Sequence, residues 1–290
     1  EELAEVLSAE DIREMDSAFS ERAFELLAGL HDNPTSQFYG DHKADFKQYV
    51  ENPFQNLMFR VREKLLPPLK RVLETERGIF SRIIKNDYGR GGAWTFYWGA
   101  FYPKQGKRNT DAQLSLWINR DRLEYGFYIG DCGTEQQARF QRNCERNLDA
   151  LLSVLKDTLS DTRLVFGKRD NEGKPLLRAA TEGRGPSWRD WLADVRGYGI
   201  DVSVVMKKDE VLRLPADELA DRIASTYAQL FPLVLLTVSD DPLRDIEDYI
   251  EDGPPDGPNP EYSLEDCASE TGFDIGLLRR WVNAIERKGQ

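Results

Sequence analysis

Cysteine and histidine are nearly missing from this chain. Its 290 residues hold three cysteines, Cys132, Cys144 and Cys267, widely separated and with no CxxC pair. That spacing signals neither a disulfide framework nor a zinc knuckle, and it suits a reducing cytoplasm. The two histidines, His31 and His42, do not have the spacing of a metal motif. Long apolar runs are also lacking. The longest, Phe231-Pro232-Leu233-Val234-Leu235-Leu236, is broken by proline and ends in Ser239-Asp240-Asp241. It falls well short of the ~18 residues a membrane span needs. The first residues, Glu1-Glu2-Leu3-Ala4-Glu5, are acidic and lack the basic segment that opens a signal peptide.

Signals for catalysis are sparse too. Gly167 to Gly173-Lys174-Pro175 has one residue too many for a phosphate loop, and proline where such a loop needs serine or threonine. There is no Gly-x-Ser-x-Gly elbow. Asp161 with Glu172-Gly173-Lys174 imitates a nuclease carboxylate–lysine set, but such sets recur by chance in a chain that is 31% charged. The expectation is a chain that catalyses nothing by itself and needs neither cofactor nor metal.

What the chain does have is uneven charge. The net charge is -12, which argues against wholesale binding of phosphates. Yet residues 77–108 contain seven basic side chains (Arg77, Arg82, Lys85, Arg90, Lys104, Lys107, Arg108) and a single acid, Asp87. Residues 239–270 reverse the balance, with Arg244 as the one base. A basic patch on an acidic body differs from a uniformly acidic protein.

Hydrophobic residues make up 40% of the chain, enough for a substantial core. The pattern opens with helices. Ser20 is placed to cap the first, with Phe19 and Phe24 as a hydrophobic staple. Thr35 or Ser36 caps the second, which carries Phe38, His42 and Phe46. Asn52-Pro53 starts a third, and Pro67-Pro68 stops it. Segments 78–84, 94–102, 112–119 and 122–130 are rich in aromatic and β-branched residues and predict four antiparallel strands, with Asn119-Arg120-Asp121-Arg122 as a tight hairpin. A long helix is predicted over 135–159, further strands over 163–168 and 200–207 with a short helix bearing Trp188 and Trp191 between them, and a helix from Pro215 carrying Leu219, Ile223, Tyr227 and Leu230. The fold class expected is α+β: an antiparallel, aromatic-rich sheet packed by helices, then a linker and a small helical hairpin. Residues 1–250 form the α+β domain, 251–262 an acidic Pro/Gly linker, and 263–290 the hairpin, with Asp274 capping its second helix.

Two features stand out as a binding surface. The loop Lys85-Asn86-Asp87-Tyr88-Gly89-Arg90-Gly91-Gly92 combines three glycines with two cations, so its backbone can approach an anion closely. Lys104-Gln105-Gly106-Lys107-Arg108-Asn109 adds charge in the next loop. In a meander, consecutive loops lie at opposite sheet ends, which sets the two apart unless the sheet curls. Solvated hairpin tips are the alternative. The second feature is the strand Trp94-Thr95-Phe96-Tyr97-Trp98-Gly99-Ala100-Phe101-Tyr102, aromatic on both faces. One face is core; the other is either a stacking platform for a base or a second packed face. The candidate contacts are thus Arg82, Lys85, Tyr88, Arg90, Trp94, Trp98, Lys104, Lys107 and Arg108.

Two resemblances add to this. Residues 24–30 (Phe-Glu-Leu-Leu-Ala-Gly-Leu), 38–43 (Phe-Tyr-Gly-Asp-His-Lys), 80–88 (Phe-Ser-Arg-Ile-Ile-Lys-Asn-Asp-Tyr) and 99–103 (Gly-Ala-Phe-Tyr-Pro) resemble an uncharacterised α+β family that reads FL..L..NN..WF...K..Y and then RFSKDK.PYK....A.F. The likeness spans roughly residues 20–235, with Asp87-Tyr88-Gly89 replacing the Pro-Tyr-Lys end of the second motif; it implies fold and no chemistry. The segment from Phe273-Asp274 through Trp281-Val282-Asn283-Ala284-Ile285-Glu286-Arg287-Lys288-Gly289-Gln290 resembles the helix that precedes the Walker A strand of McrB-type AAA+ proteins. This resemblance implies a target-selecting N-terminal region, a GTP- or ATP-hydrolysing AAA+ motor in cis beyond residue 290, and an McrC-like nuclease partner, in a restriction or antiviral system that acts on modified DNA. Three readings stay open: a DNA-recognition module, a module sensing a protein or small ligand without DNA contact, and an independent enzyme.

Overall fold

A computed structural model describes residues 17–130, 132–167, 186–251, 274–277 and 279–280. By contacts the chain divides into residues 1–247 and residues 248–290. In the second unit the helical residues 275–277 and 279–280 follow Asp274, whose Oδ1 accepts from Leu277 N at 3.0 Å, as a capping residue should. The expected linker at 251–262 and the remainder of the hairpin lie outside the described residues, apart from Glu251.

The first unit opens with α1 (Glu21–Asp32), α2 (Ser36–Asp41) and α3 (Lys43–Asp45). The staple forms as its spacing requires: the Phe19 and Phe24 rings meet edge to face at 6.4 Å. Thr35 caps α2 by accepting from Phe38 N at 3.1 Å. A π-helical stretch, Phe46–Glu51, then runs without a break into α4 (Asn52–Lys64). Asn52-Pro53 therefore lies within a continuous helical rod and does not restart one. Nor do the prolines simply stop it. Leu65 and Leu66 are extended, the backbone that a residue before proline favours, and Pro67 begins α5 (Pro67–Val72).

The sheet follows: β1 (Leu73–Glu74), β2 (Phe96–Pro103), β3 (Ala112–Asn119) and β4 (Arg122–Ile129). Asn119 fixes the β3–β4 turn, its Oδ1 accepting from Asp121 N at 2.9 Å and Arg122 N at 3.0 Å. Next come α6 (Thr134–Arg146), α7 (Leu148–Val154), α8 (Lys156–Leu159), β5 (Leu164–Phe166), α9 (Trp188–Ala193), α10 (Val195–Tyr198) and β6 (Asp201–Lys207). Then α11 (Lys208–Arg213), α12 (Ala216–Val238) and α13 (Pro242–Glu251) complete the described elements. The order across the sheet is β1-β2-β3-β4-β6-β5, antiparallel throughout, so the α+β expectation holds.

Two more sequence expectations need correction. Residues 78–84 do follow the border of β2, but as isolated bridges rather than a strand: Phe80 pairs with Gly99 and Ile84 with Ala93. Gly78 turns the chain at φ 64°, and Ser81 Oγ takes the place of a backbone partner to Trp98 N, so a regular ladder cannot run through. The helix predicted over 135–159 is three helices. It bends at Asn147 and Leu155, which keeps Phe140, Cys144, Leu151, Leu155 and Leu159 all buried.

One sheet face and the helices form the core. α12 packs on β3 and β4 and against α4 and α6. Its Tyr227 meets Phe101 of β2 at 6.0 Å, while Phe140 of α6 meets Phe127 of β4 at 5.5 Å and Phe54 of α4 meets Tyr97 at 4.9 Å. Leu219, Ile223, Tyr227 and Leu230 are all fully buried. Each such side chain contributes about 1.5–3 kcal/mol by leaving water, so a charge at Leu230 would break the core. α12 also continues through Pro232, whose surroundings are buried; packing outweighs the backbone bond that proline removes. Among the described residues no helix is long and apolar enough to cross a membrane.

Candidate binding surface

The glycine-rich loop is closed from within. Lys85 N donates to Gly92 O at 3.0 Å, and Gly92 N donates to Asp87 Oδ2 at 2.7 Å. The loop is also fastened to the start of α2, where Ser36 N donates to Gly91 O at 2.7 Å and Ala93 N to Pro34 O at 2.9 Å. Gly89 and Gly91 supply the left-handed turns at φ 86° and 74°. Tyr88 sits between these fixings and is also left-handed, at φ 58°, the one non-glycine among the described residues with positive φ. A side chain there costs about 1–2 kcal/mol. Tyr88 offsets none of that by burial, being 98% exposed.

Charge is arranged to match. Asp87, the single acid of the basic stretch, spends its carboxylate on the loop backbone. Arg82 and Arg90 are exposed, and within the described residues neither pairs with a carboxylate. Arg62, Arg120, Arg139, Arg163 and Arg222 elsewhere all do. Lys85 also lacks an ion pair there and lays its ammonium over Trp94, 4.6 Å from the ring centre.

Trp94 begins an aromatic ladder on the sheet face away from the core. Successive ring centres are 5.4 Å apart from Trp94 to Phe96, 4.7 Å from Phe96 to Trp117 and 5.1 Å from Trp117 to Trp98. The last pair is face to face at 9°. Arg108 caps the far end, 4.7 Å above Trp98. The ladder thus has a cation at each end, and its ring faces are taken up by neighbours. The expected stacking platform over Trp94–Trp98 is therefore a packed stack. Among the candidate aromatics Tyr88 is by far the most exposed, at 98%, while Trp94, 42% exposed, lies between Lys85 and Phe96. Trp117 completes the ladder and was not foreseen, because the partner strand's register is not written in the sequence.

The second basic loop lies at the other end of β2, about 23 Å of strand away from the first. Asp111 Oδ2 accepts from Lys107 N at 2.6 Å and shapes it. Arg108 turns back from this loop: Nη1 donates to Gly78 O at 2.6 Å, and burial pulls the guanidinium below its ordinary pKa. It serves the ladder more than the solvent. Lys104 and Lys107 stay exposed. Lys104 edges a cleft of ≈ 530 Å³ in which Arg62, Lys70 and Arg77 alternate with Glu63, Glu74 and Glu76. Mixed charge of this kind satisfies itself: Arg62 meets Glu63 and Glu76, and Glu74 accepts from the backbone of Glu76 and Arg77, which holds its carboxyl low. The structure thus gathers Arg82, Lys85, Tyr88, Arg90 and Trp94 at one end, Trp98 and Arg108 midway, and Lys104 and Lys107 at the other.

Among the described residues the remaining chemical candidates stand apart from one another. His42 stacks on Phe38 at 4.4 Å, with Nδ1 2.9 Å from Phe38 O. Asp161 is engaged by Arg163 at 2.6 Å, which keeps its carboxyl below the usual range; Glu172 and Lys174 of the imitated nuclease set lie outside the described residues. What the sequence reading missed is a buried polar row on the outer sheet face: Gln113, Ser115, Glu124 and Ser203. Polar residues at alternate positions of β3 were its visible signal. No protein-family model matches this chain, and no curated protein is significantly similar to it.

Proposed function

We propose that this chain is a recognition region that grips nucleic acid through the loop at residues 85–92, with Tyr88 as an inserted or stacking finger and Arg82, Lys85 and Arg90 on the phosphates. One observation carries the reading: a fully exposed tyrosine is held in a strained backbone at the tip of a fastened, basic loop. Strain without compensating burial is a feature of sites that touch something else. On this reading the chain works in the cytoplasm and catalyses nothing alone. Its likeness to the segment before a McrB-type motor adds the partners: an AAA+ NTPase in cis and an McrC-like nuclease, acting on modified DNA. A second reading, a module that senses a protein, draws on the -12 charge and on the apolar side chains Phe59, Ile84 and Trp94, each exposed near or above two-fifths.

Titration of plain, methylated and hydroxymethylated duplexes at two salt concentrations separates them. With only a few cations in reach, plain duplex should bind weakly and lose affinity on a shallow salt slope. Replacing Lys85 and Arg90 together with alanine should flatten the slope by roughly 2, about 0.9 per phosphate contact. Tyr88→Ala should reduce discrimination between bases more than overall grip. No binding to any duplex at low salt by folded protein would favour the protein-sensing reading.

A further inference from the structure

The cleft beside β1 is built where four pieces of chain meet. They are the end of α4 with Arg62 and Glu63, Lys70 of α5, β1 with the turn at 75–77, and Lys104 just past β2. At ≈ 530 Å³ it falls within the usual size of small-ligand sites, roughly 300–1,000 Å³. Self-satisfaction in this cleft is complete for the carboxylates and incomplete for the cations. Glu63 and Glu76 both meet Arg62, and Glu74 Oε1 accepts from Glu76 N at 2.8 Å and Arg77 N at 2.9 Å. Lys70, Arg77 and Lys104, in contrast, form no ion pair within the described residues. Lys70 Nζ donates to Glu63 O at 2.9 Å, which occupies one of its three N–H bonds.

The backbone beneath these cations is already fixed. Arg77 is held at N by Glu74 and at O by the Tyr102 hydroxyl, which donates at 3.0 Å. Lys104 N donates to Val72 O at 3.1 Å. A ligand would have side chains to order here and no loop, which lowers the entropy cost of binding. The set of cations is also selective. A guanidinium takes two oxygens of a phosphate at once, while the two ammonium groups act as point charges. A single carboxylate has too few oxygens and too little charge to satisfy all three.

We infer that this cleft is an anion site, separate from the loop at 85–92, that binds a phosphate group through Lys70, Arg77 and Lys104. The phosphate belongs to a small phosphorylated molecule or to a nucleic-acid strand. The inference goes beyond the grip proposed for Tyr88, since the small-molecule case needs no nucleic acid at all.

The test uses the whole chain at low salt, with inorganic phosphate, pyrophosphate and glycerol phosphate as probes. Succinate serves as a dicarboxylate of similar charge, and short single-stranded oligonucleotides form a second arm. Calorimetry and thermal shift read the binding. At least one phosphate probe or the oligonucleotide should bind at least tenfold tighter than succinate. Arg77 and Lys104 are exposed, so Arg77→Gln with Lys104→Gln should leave the unliganded Tm unchanged and weaken phosphate binding at least tenfold. Lys43→Gln with Lys47→Gln removes the same charge from exposed positions outside the cleft and should change affinity less than twofold. Small phosphates that bind as tightly as oligonucleotides per phosphate would mark a free-ligand site. Oligonucleotide binding alone, lost in the Arg77 and Lys104 variant, would mark a seat for a strand's backbone. Absence of binding in both arms by folded protein, succinate binding as tightly as every phosphate probe and the oligonucleotide, or equal losses in the two double variants overturns the inference.

Discussion

Replacing Tyr88 with glycine separates what the residue does for the fold from what it does at the surface. At φ 58° tyrosine carries about 1–2 kcal/mol of backbone strain that glycine does not. Because the side chain is 98% exposed, its removal uncovers almost no apolar surface. Glycine brings a cost of its own, roughly 0.5–1 kcal/mol of extra chain entropy in the unfolded state. The balance runs from about zero to about 1.5 kcal/mol of stabilisation, or a Tm rise of up to about 6 °C in a domain of this size. Tyr88→Ala keeps the strain and should gain nothing, so the difference between the two variants isolates the backbone term. Chemical denaturation of both variants measures it, alongside duplex binding, where both should be weakened. A Tyr88→Gly protein less stable than wild type by more than about 1 kcal/mol would refute the reasoning, because it would mean that the ring holds the loop together.

Two further outcomes test the surroundings of that site. Asp87→Ala removes the acceptor for Gly92 N, so hydrogen exchange at Gly92 should accelerate and stability fall by about 1–2 kcal/mol, while Asp87→Asn should retain most of the protection. Burial pushes the Cys144 thiol up to about 12 from an ordinary 9.0. The folded state thus holds a proton that the unfolded chain releases. This contribution to stability is complete below pH 9 and declines as pH rises from there towards 12, and a thiol reagent at pH 8 should modify exposed Cys132 while sparing Cys144.

The sequence revealed most of the elements because their signals are local. Alternation announces β2, β3 and β4 within two residues at each end, and the Asn119 turn is carried by a single side chain. The misreadings arose where a distant contact decides. Residues 78–84 have strand composition, yet Gly78 and the Ser81 hydroxyl divide their pairing with β2. The helix at 134–159 bends because the core requires Cys144 and Leu151 on the same side. At the candidate surface the basic loop was visible from its glycines and charges. The ladder was not, because it joins Trp94 and Trp98 through Trp117, and register is a property of two strands at once.

The borders of the sheet limit how this protein can associate with anything. One edge is closed by the two residues of β1 and then by bridges along 79–84; the other by the three residues of β5. Among the described residues, neither offers an incoming chain a run of regular main-chain partners long enough to add a strand. Among the described strands, an incoming copy or an extended peptide therefore meets only short runs of edge. Along these described edges, contact with another chain falls to side chains on faces and loop tips, where single substitutions can retune a surface without disturbing the hydrogen-bonded frame beneath it.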